Sequence, residues 1–360
     1  MTQAVAPVPP GSTIGILGGG QLGRMLALAA ARLGYSVHVF APEAELVAAD
    51  VSAAVTRADY RDREALSAFA VSVEVITYEF ENVPSDAVAF LETLRPVRPG
   101  HPALDVSQDR LSEKRFVQGL GGKPAPYWVV DSLADLEAAL AVSGLPAILK
   151  TRRFGYDGKG QARIASIGDA AAAFADLGGG DLILEGFVRF EAEFSIILAR
   201  CPNGAEQHYP ACLNTHAGGI LSESRVPAVG LDPAHVAAAT ALVVQIADAL
   251  DYVGVLTCEF FSCADGPVFN EMAPRVHNSG HWTIEGAQTS QFEQHVRAIC
   301  GLPLGPVGLR APMIEMRNLL GDDVKLWQEL LADPAAHLHL YGKSAAAPGR
   351  KMGHVTWLRP

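Results

Sequence analysis

The chain has 360 residues, which corresponds to two or three domains of about 150 residues each. Hydrophobic residues make up 49% and charged residues 19%, which excludes an intrinsically disordered chain because such chains lack the apolar surface that offsets ordering entropy. The formal net charge of −11 gives no basic face for nucleic acid or for an anionic membrane. A phosphate-binding site would therefore have to be local.

The five cysteines are odd in number and show no C-x-x-C spacing, so they indicate neither a disulfide framework nor a structural zinc site. We expect a reducing, cytoplasmic environment. No run approaches the roughly 18 apolar residues of a membrane span. Residues 1–12 lack the pattern of a secretion signal, and we expect a disordered tail there.

The N-terminal part alternates strands and helices. Residues 13–17 form a short apolar run that stops at three glycines, and residues 21–33 then have helical apolar spacing. The next strand, helix and strand are predicted over 37–40, 63–71 and 73–78. This alternation predicts α/β structure with a parallel, Rossmann-like sheet over about 13–106.

The rest of the chain predicts mixed α+β structure. Helices are predicted over 133–142 and 234–250, and strands over 182–184, 193–198 and 253–261. Clusters of Pro and Gly near 95–102 and 301–308 indicate domain joints. The predicted units after the first domain are a central domain, 107–300, with subdomains of about 107–185 and 186–300, and a small C-terminal domain, 301–360.

A glycine-rich turn follows the first strand. Gly18, Gly20 and Gly23 satisfy G-x-G-x-x-G, and Glu43 lies at the distance expected for an acid that binds ribose hydroxyls. This pattern is typical of an NAD oxidoreductase. The alternative is that the glycines only permit a tight turn and close packing of strand and helix.

A second glycine cluster, Gly155 to Gln161, follows the apolar segment that ends at Lys150. Its glycines alternate with cations, so its amides and charges could close over a polyphosphate. The alternative is an exposed, charged hairpin tip.

Two carboxylates are predicted to face each other on a hairpin. Strands over 253–262 and 267–272 flank Ala264-Asp265-Gly266, a predicted three-residue turn that places Glu259 opposite Glu271. Like charges in this arrangement repel unless a cation neutralises them, and two carboxylates with the Asn270 amide oxygen suit Mg²⁺. The alternative is a register shifted by one residue, with both glutamates in water.

Three further segments are rich in polar groups. Residues 273–283 contain a cation, two imidazoles and an amide, which favours anion or substrate recognition. Lys343 and Arg350 lie beside glycines near the C-terminus and could bind a phosphate monoester. Glu79 and Glu81 follow a predicted parallel strand, where ligands collect in open sheets, although a solvated loop explains them equally well.

Three segments together resemble one family. They are the glycine turn from Gly18 to Met25, the loop from Gly155 to Gln161, and the run from Asn270 to Thr283. The chain resembles the N5-carboxyaminoimidazole ribonucleotide synthetases, which are ATP-grasp enzymes of purine biosynthesis. The resemblance implies an ATP-grasp architecture and the ATP-dependent carboxylation of 5-aminoimidazole ribonucleotide (the ribotide) by bicarbonate through carboxyphosphate.

The resemblance also implies site residues. The implied ATP contacts are Arg110, Lys150, Gly155, Tyr156, Asp157, Gly158, Lys159, Gly160, Gln161, Glu185, Gly186, Phe187, Val188, Glu193, His216, Asn270 and Glu271. The implied substrate contacts are Glu81, Tyr156, Asp157, Arg275, His277, Asn278, Lys343 and Arg350. The implied catalytic residues are Arg275, Lys150, Lys159, His277 and Asn278, and the implied metal ligands are Glu259 and Glu271.

The implied cofactors are ATP and Mg²⁺, with Mn²⁺ as an alternative metal and with neither NAD nor biotin. The implied partners are small molecules and a second copy of the chain in a homodimer. Lys159 stands where arginine is equally expected, which keeps the charge and loses the bidentate fork. Three alternatives stay open: another ligase that forms an acyl phosphate, the NAD oxidoreductase, and a non-catalytic nucleotide-binding regulator.

Overall fold

The computed structural model describes residues 6–155 and 159–360. Within them, the strands are β1 (Thr13–Leu17), β2 (Ser36–Phe40), β3 (Ala54–Thr56), β4 (Val75–Tyr78), β5 (Tyr127–Val130), β6 (Ala147–Thr151), β7 (Gln161–Ile164), β8 (Leu182–Gly186), β9 (Ala192–Arg200), β10 (Glu206–His208), β11 (Cys212–Ala217), β12 (Ile220–Val226), β13 (Gly254–Cys263), β14 (Gly266–Ala273), β15 (Met313–Leu320), β16 (Ala336–Leu340) and β17 (Lys351–Arg359). The helices are α1 (Gln21–Arg32), α2 (Arg63–Val71), α3 (Ser85–Glu92), α4 (His101–Ser107), α5 (Arg110–Gly119), α6 (Leu133–Ser143), α7 (Ala170–Asp176), α8 (Pro233–Ala249), α9 (Thr283–Gly286), α10 (Gln291–Ile299) and α11 (Trp327–Ala332).

The N-terminal sheet is parallel, with strand order β3-β2-β1-β4. Apolar clusters bury both of its faces: Ile14 packs with α1, and Leu17 packs with Phe69 of α2. Helix α2 begins where the Asp62 carboxylate accepts a 3.0 Å hydrogen bond from the Ala65 N–H, which satisfies one of the free amides of the first turn. The predicted parallel sheet and the helix over 63–71 are confirmed.

A second sheet is antiparallel, with strand order β5-β8-β6-β7. Helices α6 and α7 cover one face of it through Leu136, Leu140 and Ala173. The helix predicted over 133–142 is confirmed and runs one residue further. This sheet carries Lys150 near the end of β6 and Glu185 on the neighbouring strand β8.

The largest sheet has the order β14-β13-β9-β11-β12-β15-β17-β16, and β10 pairs with β9. Strand β15 pairs with β12 over Glu223 to Val226, so the C-terminal segment extends the same sheet as the central domain. One apolar cluster joins Leu26 of α1, Phe292 of α10 and Ile314 of β15. This shared core holds the N-terminal, central and C-terminal parts of the chain against one another.

The hairpin of β13 and β14 pairs Glu259 with Glu271, as predicted, but the predicted three-residue turn is wrong. Cys263 pairs with Gly266, so the turn has two residues and the register differs by one from the predicted register. A bulge between Glu259 and Phe260 restores the predicted pairing, with Asn270 as the additional residue on β14. The sequence argument reached the correct pair because these two differences cancel.

The expected disordered tail is also wrong for its described part. The Val8 N–H donates a 2.9 Å hydrogen bond to the Cys300 carbonyl, and the Tyr35 hydroxyl donates one of 2.7 Å to the Val8 carbonyl. Val8 packs against the same apolar cluster as α1, which offsets the entropy cost of ordering residues 6–12. None of the helices in 6–155 and 159–360 is long and apolar enough to cross a membrane.

Candidate active site

The opposed carboxylates Glu259 and Glu271 lie at the centre of the predicted site. The Glu259 side chain is 10% exposed and that of Glu271 is 43% exposed. Burial raises the pKa of Glu259 to about 7, and the charge of Glu271 adds to this rise. The pair therefore carries electrostatic strain that a cation would relieve.

The bulge brings Asn270 and Glu271 to the same point opposite Glu259. The donors there are oxygens, which suits a hard cation such as Mg²⁺. Within residues 6–155 and 159–360, no three or more His, Cys, Asp or Glu side chains are arranged to hold a metal. A donor set of two carboxylates fits Mg²⁺, which usually keeps waters and substrate phosphates as its other ligands.

A buried ion cluster lies on the second sheet. Lys150 Nζ lies 2.7 Å from Glu185 Oε2, and Lys114 Nζ on α5 lies 3.0 Å from Glu185 Oε1. Burial alone would raise the pKa of Glu185, but Lys150 and Lys114 outweigh it and hold this pKa at about 2. Burial lowers the pKa of Lys150, and Glu185 opposes that shift. Sequence reasoning missed Lys114, because its position in α5 resembles that of any surface cation.

Arg110 connects the second sheet to the hairpin. Its Nη1 lies 3.3 Å from Glu271 Oε2, and its backbone N–H donates a 2.9 Å hydrogen bond to the Arg152 carbonyl. A Cβ added to Gly155 would lie 3.2 Å from Arg110 Nη2, so the glycine loop begins against this guanidinium. Lys159, Gly160 and Gln161 lead from that loop into β7. The predicted contacts Tyr156, Asp157 and Gly158 lie outside the described residues.

Glu193 and His216, both predicted ATP contacts, lie on neighbouring strands and form an ion pair of 2.6 Å. Burial alone would lower the pKa of His216, but the hydrogen bond to Glu193 and the charge of Glu259 raise it. The chain then leaves β8 at Gly186 and passes through Phe187, which is 52% exposed, and Val188. Gly186 directly follows Glu185 of the ion cluster on β8.

Arg275 and Glu81 form the next part of the site, with Arg275 Nε 2.5 Å from Glu81 Oε2. Burial alone would raise the pKa of Glu81, but Arg275 outweighs it and lowers this pKa. This pair connects the end of β4 to the segment after β14. The sequence analysis left open whether a ligand or solvent contacts the acids at this strand end. In the structure, the guanidinium of Arg275 contacts Glu81.

Glu79 has a different role from Glu81. Its carboxylate accepts hydrogen bonds of 2.7 Å from the Gly20 N–H and 3.1 Å from the Gly23 N–H, at the start of α1. A Cβ on Gly18 would lie 2.7 Å from Glu79 Cγ, so the glycine turn is packed against this side chain. A dinucleotide pyrophosphate would need these same amides. The carboxylate occupies that anion position, which speaks against the NAD alternative.

The segment after β14 is held by residues that the sequence analysis missed. The His277 N–H donates to Gln291 Oε1 at 3.0 Å, and Gln291 Nε2 donates to the His277 carbonyl at 2.6 Å. Asn278 exchanges two amide hydrogen bonds, of 2.9 and 2.7 Å, with Asn318 and donates one of 2.8 Å to His281 Nδ1. The Asn278 side chain is thus already engaged, and its contact with substrate stays a prediction. No local sequence pattern singles out Asn318, because its partner Asn278 lies 40 residues earlier in the chain.

Lys343 and Arg350 lie on the loop between β16 and β17. Burial lowers the pKa of Lys343 to about 8, and the charges of Arg350 and Lys351 add to this shift. The Arg350 guanidinium forms an ion pair with Glu45, a residue that the sequence analysis did not single out. A surface cavity beside this pair is lined in part by Gly18, Glu45, Glu79 and Phe80.

The two halves of the site meet at Glu259. Burial and the charges of Glu271 and Glu193 raise the pKa of Glu259, whereas His216 and Lys351, the first residue of β17, oppose that shift. His277 Nδ1 lies 3.8 Å from Glu259 Oε1.

Family models match three consecutive parts of the chain. A ribonucleotide synthetase preATP-grasp domain matches residues 12–108, and an ATP-grasp domain matches 115–292. A phosphoribosylaminoimidazole carboxylase C-terminal domain matches 315–360. The expected fold class is confirmed by these matches together with the observed sheets.

Relatives match almost the whole chain. The N5-carboxyaminoimidazole ribonucleotide synthase of Brucella melitensis is 49% identical over 98% of this chain and 97% of its own length. The crystal structure of the Thermus thermophilus synthetase is 49% identical, with a TM-score of 0.89 over 96% of this chain and 93% of that one.

A second solved structure, the Aspergillus clavatus synthase in complex with ADP and 5-aminoimidazole ribonucleotide, is 30% identical. Its TM-score is 0.89 over 97% of this chain and 94% of that one. Each of these three relatives matches at least 96% of this chain. The chain belongs to the N5-carboxyaminoimidazole ribonucleotide synthase family.

Proposed function

We propose that this chain carboxylates 5-aminoimidazole ribonucleotide with bicarbonate and ATP, a step of purine biosynthesis that gives N5-carboxyaminoimidazole ribonucleotide, ADP and phosphate. Family membership supports this reaction, as does the complex of the Aspergillus clavatus relative with ADP and the ribotide. The observation that carries the proposal is the opposed carboxylate pair Glu259 and Glu271, with Arg110 3.3 Å from Glu271 and His277 3.8 Å from Glu259.

The ATP phosphates would lie over the ion cluster. Lys150 and Arg110 supply cations there, and each now neutralises a carboxylate, Glu185 or Glu271, that a phosphate would replace in part. The loop from Gly155 to Gln161 would close over the phosphates. Glu193, His216 and the segment from Gly186 to Val188 would contact the same nucleotide.

Glu259 and Glu271 would hold Mg²⁺, with Mn²⁺ as an alternative. The metal, when bound, supplies charge neutralisation for the phosphoryl group as it is transferred. The repulsion between the buried Glu259 carboxylate and the Glu271 carboxylate, together with the oxygen-only donor set, supports this assignment. The hairpin of β13 and β14 would hold both carboxylates at the edge of the nucleotide site.

The reaction would begin with attack of a bicarbonate oxygen on the γ-phosphorus of ATP. The bond from that phosphorus to the ADP oxygen breaks, and carboxyphosphate and ADP result. Arg275 and Lys159 would stabilise the negative charge on bicarbonate and on carboxyphosphate, and the Glu81 carboxylate holds the Arg275 guanidinium in place. His277 and Asn278 would border this step at the segment after β14.

The ribotide amine would then attack the carboxyl carbon of carboxyphosphate, or CO₂ released from it. Phosphate leaves with the electron pair of the C–O bond, and the amine loses its proton. Lys343 and Arg350 would bind the ribotide phosphate and thereby set the distance between the amine and the carboxyl carbon. Water must be kept out, because it would hydrolyse carboxyphosphate.

The test is ADP release by the purified chain with Mg²⁺, ATP and labelled bicarbonate, with and without the ribotide. We expect ribotide-dependent ADP release and label in an acid-labile product. ADP release without label in the product would indicate that the chain phosphorylates an acid other than bicarbonate. Binding of ATP without any turnover would favour the non-catalytic regulator and overturn the proposal.

A homodimer in the cytoplasm also belongs to this proposal. The resemblance to the family supports both statements. Light scattering should give twice the mass of a single chain, and a monomeric mass at assay concentration would overturn the dimer while leaving the reaction untouched.

A further inference from the structure

Glu45 receives an unusual set of donors from the C-terminal loop. Ser344 donates to Glu45 Oε1 from both its backbone N–H and its hydroxyl, each at 2.7 Å. The Arg350 guanidinium donates to the other oxygen, Oε2. The hydrogen bonds from Ser344 lower the pKa of Glu45 to about 2, with Arg350 adding to the effect. The carboxylate is thus ionised at neutral pH.

These donors are the ones that a phosphate monoester recruits. A backbone amide, a hydroxyl and a guanidinium converge within reach of a single anion, and Lys343 lies on the same loop. Burial lowers the pKa of Lys343, the charges of Arg350 and Lys351 lower it further, and the charge of Glu45 opposes this shift. The single charge of Glu45 does not offset the mutual repulsion of these cations, and a dianion would offset it better.

We propose that Glu45 is an internal substitute for the ribotide phosphate, which occupies its donors in the free protein and is displaced when the ribotide binds. This inference rests on the proposed function, because that function assigns the ribotide phosphate to Lys343 and Arg350. Glu45 then limits ribotide affinity in two ways. It competes for the donors, and its charge repels an incoming phosphate.

The segment around Glu45 allows this exchange. Leu46 is buried and lies against the glycine turn, where a Cβ on Gly19 would come within 2.4 Å of Leu46 Cδ2. The backbone is therefore held in place. The Glu45 side chain is 36% exposed and borders the cavity beside the turn, so its carboxylate can rotate away without repacking the core.

The experiment titrates ribose 5-phosphate, a phosphate monoester without the reacting amine, into the wild-type chain and Glu45→Gln by calorimetry. We expect the variant to bind roughly 2- to 5-fold more tightly, the range expected when a partly exposed ion pair no longer competes. The Michaelis constant for the ribotide should fall by a similar factor, and that for ATP should not change. Glu64→Gln, on the exposed face of α2, removes the same charge and should change neither constant.

Unchanged or weaker binding of ribose 5-phosphate to Glu45→Gln overturns the inference and makes Glu45 a support for the loop. If that variant does not fold, Glu45→Asp shortens the reach to Arg350 and should shift binding in the same direction. Turnover with ribotide but no binding of ribose 5-phosphate to any form leaves the proposed function standing and overturns the inference. Tighter binding to Glu45→Gln in a chain without turnover supports the inference and overturns the function.

Discussion

At the scale of single residues, the carboxylate pair gives the sharpest prediction. Glu271→Gln removes one of two opposed charges and one oxygen ligand, so we expect a folded chain that loses at least about 100-fold in kcat. In the metal-free variant the lost repulsion between positions 259 and 271 offsets the lost ion pair with Arg110, so we expect a melting temperature close to that of the wild type. Steady-state ADP release and a thermal melt measure the two effects.

Glu329→Gln is a suitable control for this experiment, because Glu329 is exposed on α11. It should leave both kcat and the melting temperature unchanged. A Glu271→Gln variant with normal kcat would remove this carboxylate from the metal site.

Lys343 gives a prediction on substrate binding and on pH. Lys343→Ala should raise the Michaelis constant for the ribotide far more than that for ATP, since the ammonium is assigned to the ribotide phosphate. Its pKa of about 8 means that the charge is present at pH 7 and is lost as the pH rises through 8. In the wild type, kcat/KM for the ribotide should therefore fall above about pH 8.

Lys343→Arg is the matched control, because arginine keeps its charge throughout this range. Its kcat/KM should stay level where that of the wild type falls. Parallel pH profiles for the two proteins, or equal effects of Lys343→Ala on both Michaelis constants, would contradict the assignment.

At the scale of elements, the start of α1 shows what a motif can and cannot predict. The spacing of Gly18, Gly20 and Gly23 correctly predicted a strand, a turn and a helix. It did not indicate whether a ligand or a side chain caps the helix, because the capping carboxylate, Glu79, comes from a strand end far along the chain. Local sequence determines the turn, and tertiary structure determines its partner.

Glu79→Gln should destabilise the chain by about 1–2 kcal/mol, because a neutral amide oxygen replaces a buried carboxylate that accepts two backbone hydrogen bonds. Urea unfolding measures this cost. Glu74→Gln is the comparison: Glu74 also accepts a backbone hydrogen bond, from Thr13, but at an exposed position, and we expect a smaller loss. Equal losses would mean that the cap at α1 contributes no more than a surface contact.

The hairpin shows why a correct pair can follow from an incorrect turn. The place of Gly266 directly after Asp265 predicted a hairpin, and in the structure Gly266 has the positive φ that glycine favours in such turns. The two-residue turn goes together with the bulge at Asn270, which lies in the pairing of β14 with β13. No local pattern in β14 encodes that choice.

At the scale of the whole molecule, the alternation of elements predicted the N-terminal sheet well, and the resemblance predicted the order of domains. The nine-stranded sheet was not predictable in this way, because β15 joins β12 across more than eighty residues of chain. The same holds for the residues that support the site. Asn318, Gln291 and Glu45 reach it only through long-range packing.

His295 connects three elements that are distant in sequence, namely α10, β13 and β4. The Val255 N–H donates to His295 Nδ1 at 3.1 Å, so the ring proton is on Nε2, which lies 2.8 Å from the Thr77 hydroxyl. The ring is fully buried between α10, β4 and β13. Burial lowers its pKa to about 3, and it must stay neutral for the chain to stay folded.

The unfolded chain takes up a proton at His295 below its ordinary pKa of 6.5, while the folded chain does not until about pH 3. Stability should therefore be lost as the pH falls from 6.5, by about 1.4 kcal/mol per pH unit for this one proton. His295→Gln cannot titrate; it should be less stable at pH 7, yet lose less stability between pH 6 and pH 4.5. Urea midpoints at pH 7, 6, 5 and 4.5 give both slopes. Equal slopes would mean that His295 is protonated in the folded chain and that the contact between β4 and α10 tolerates its charge.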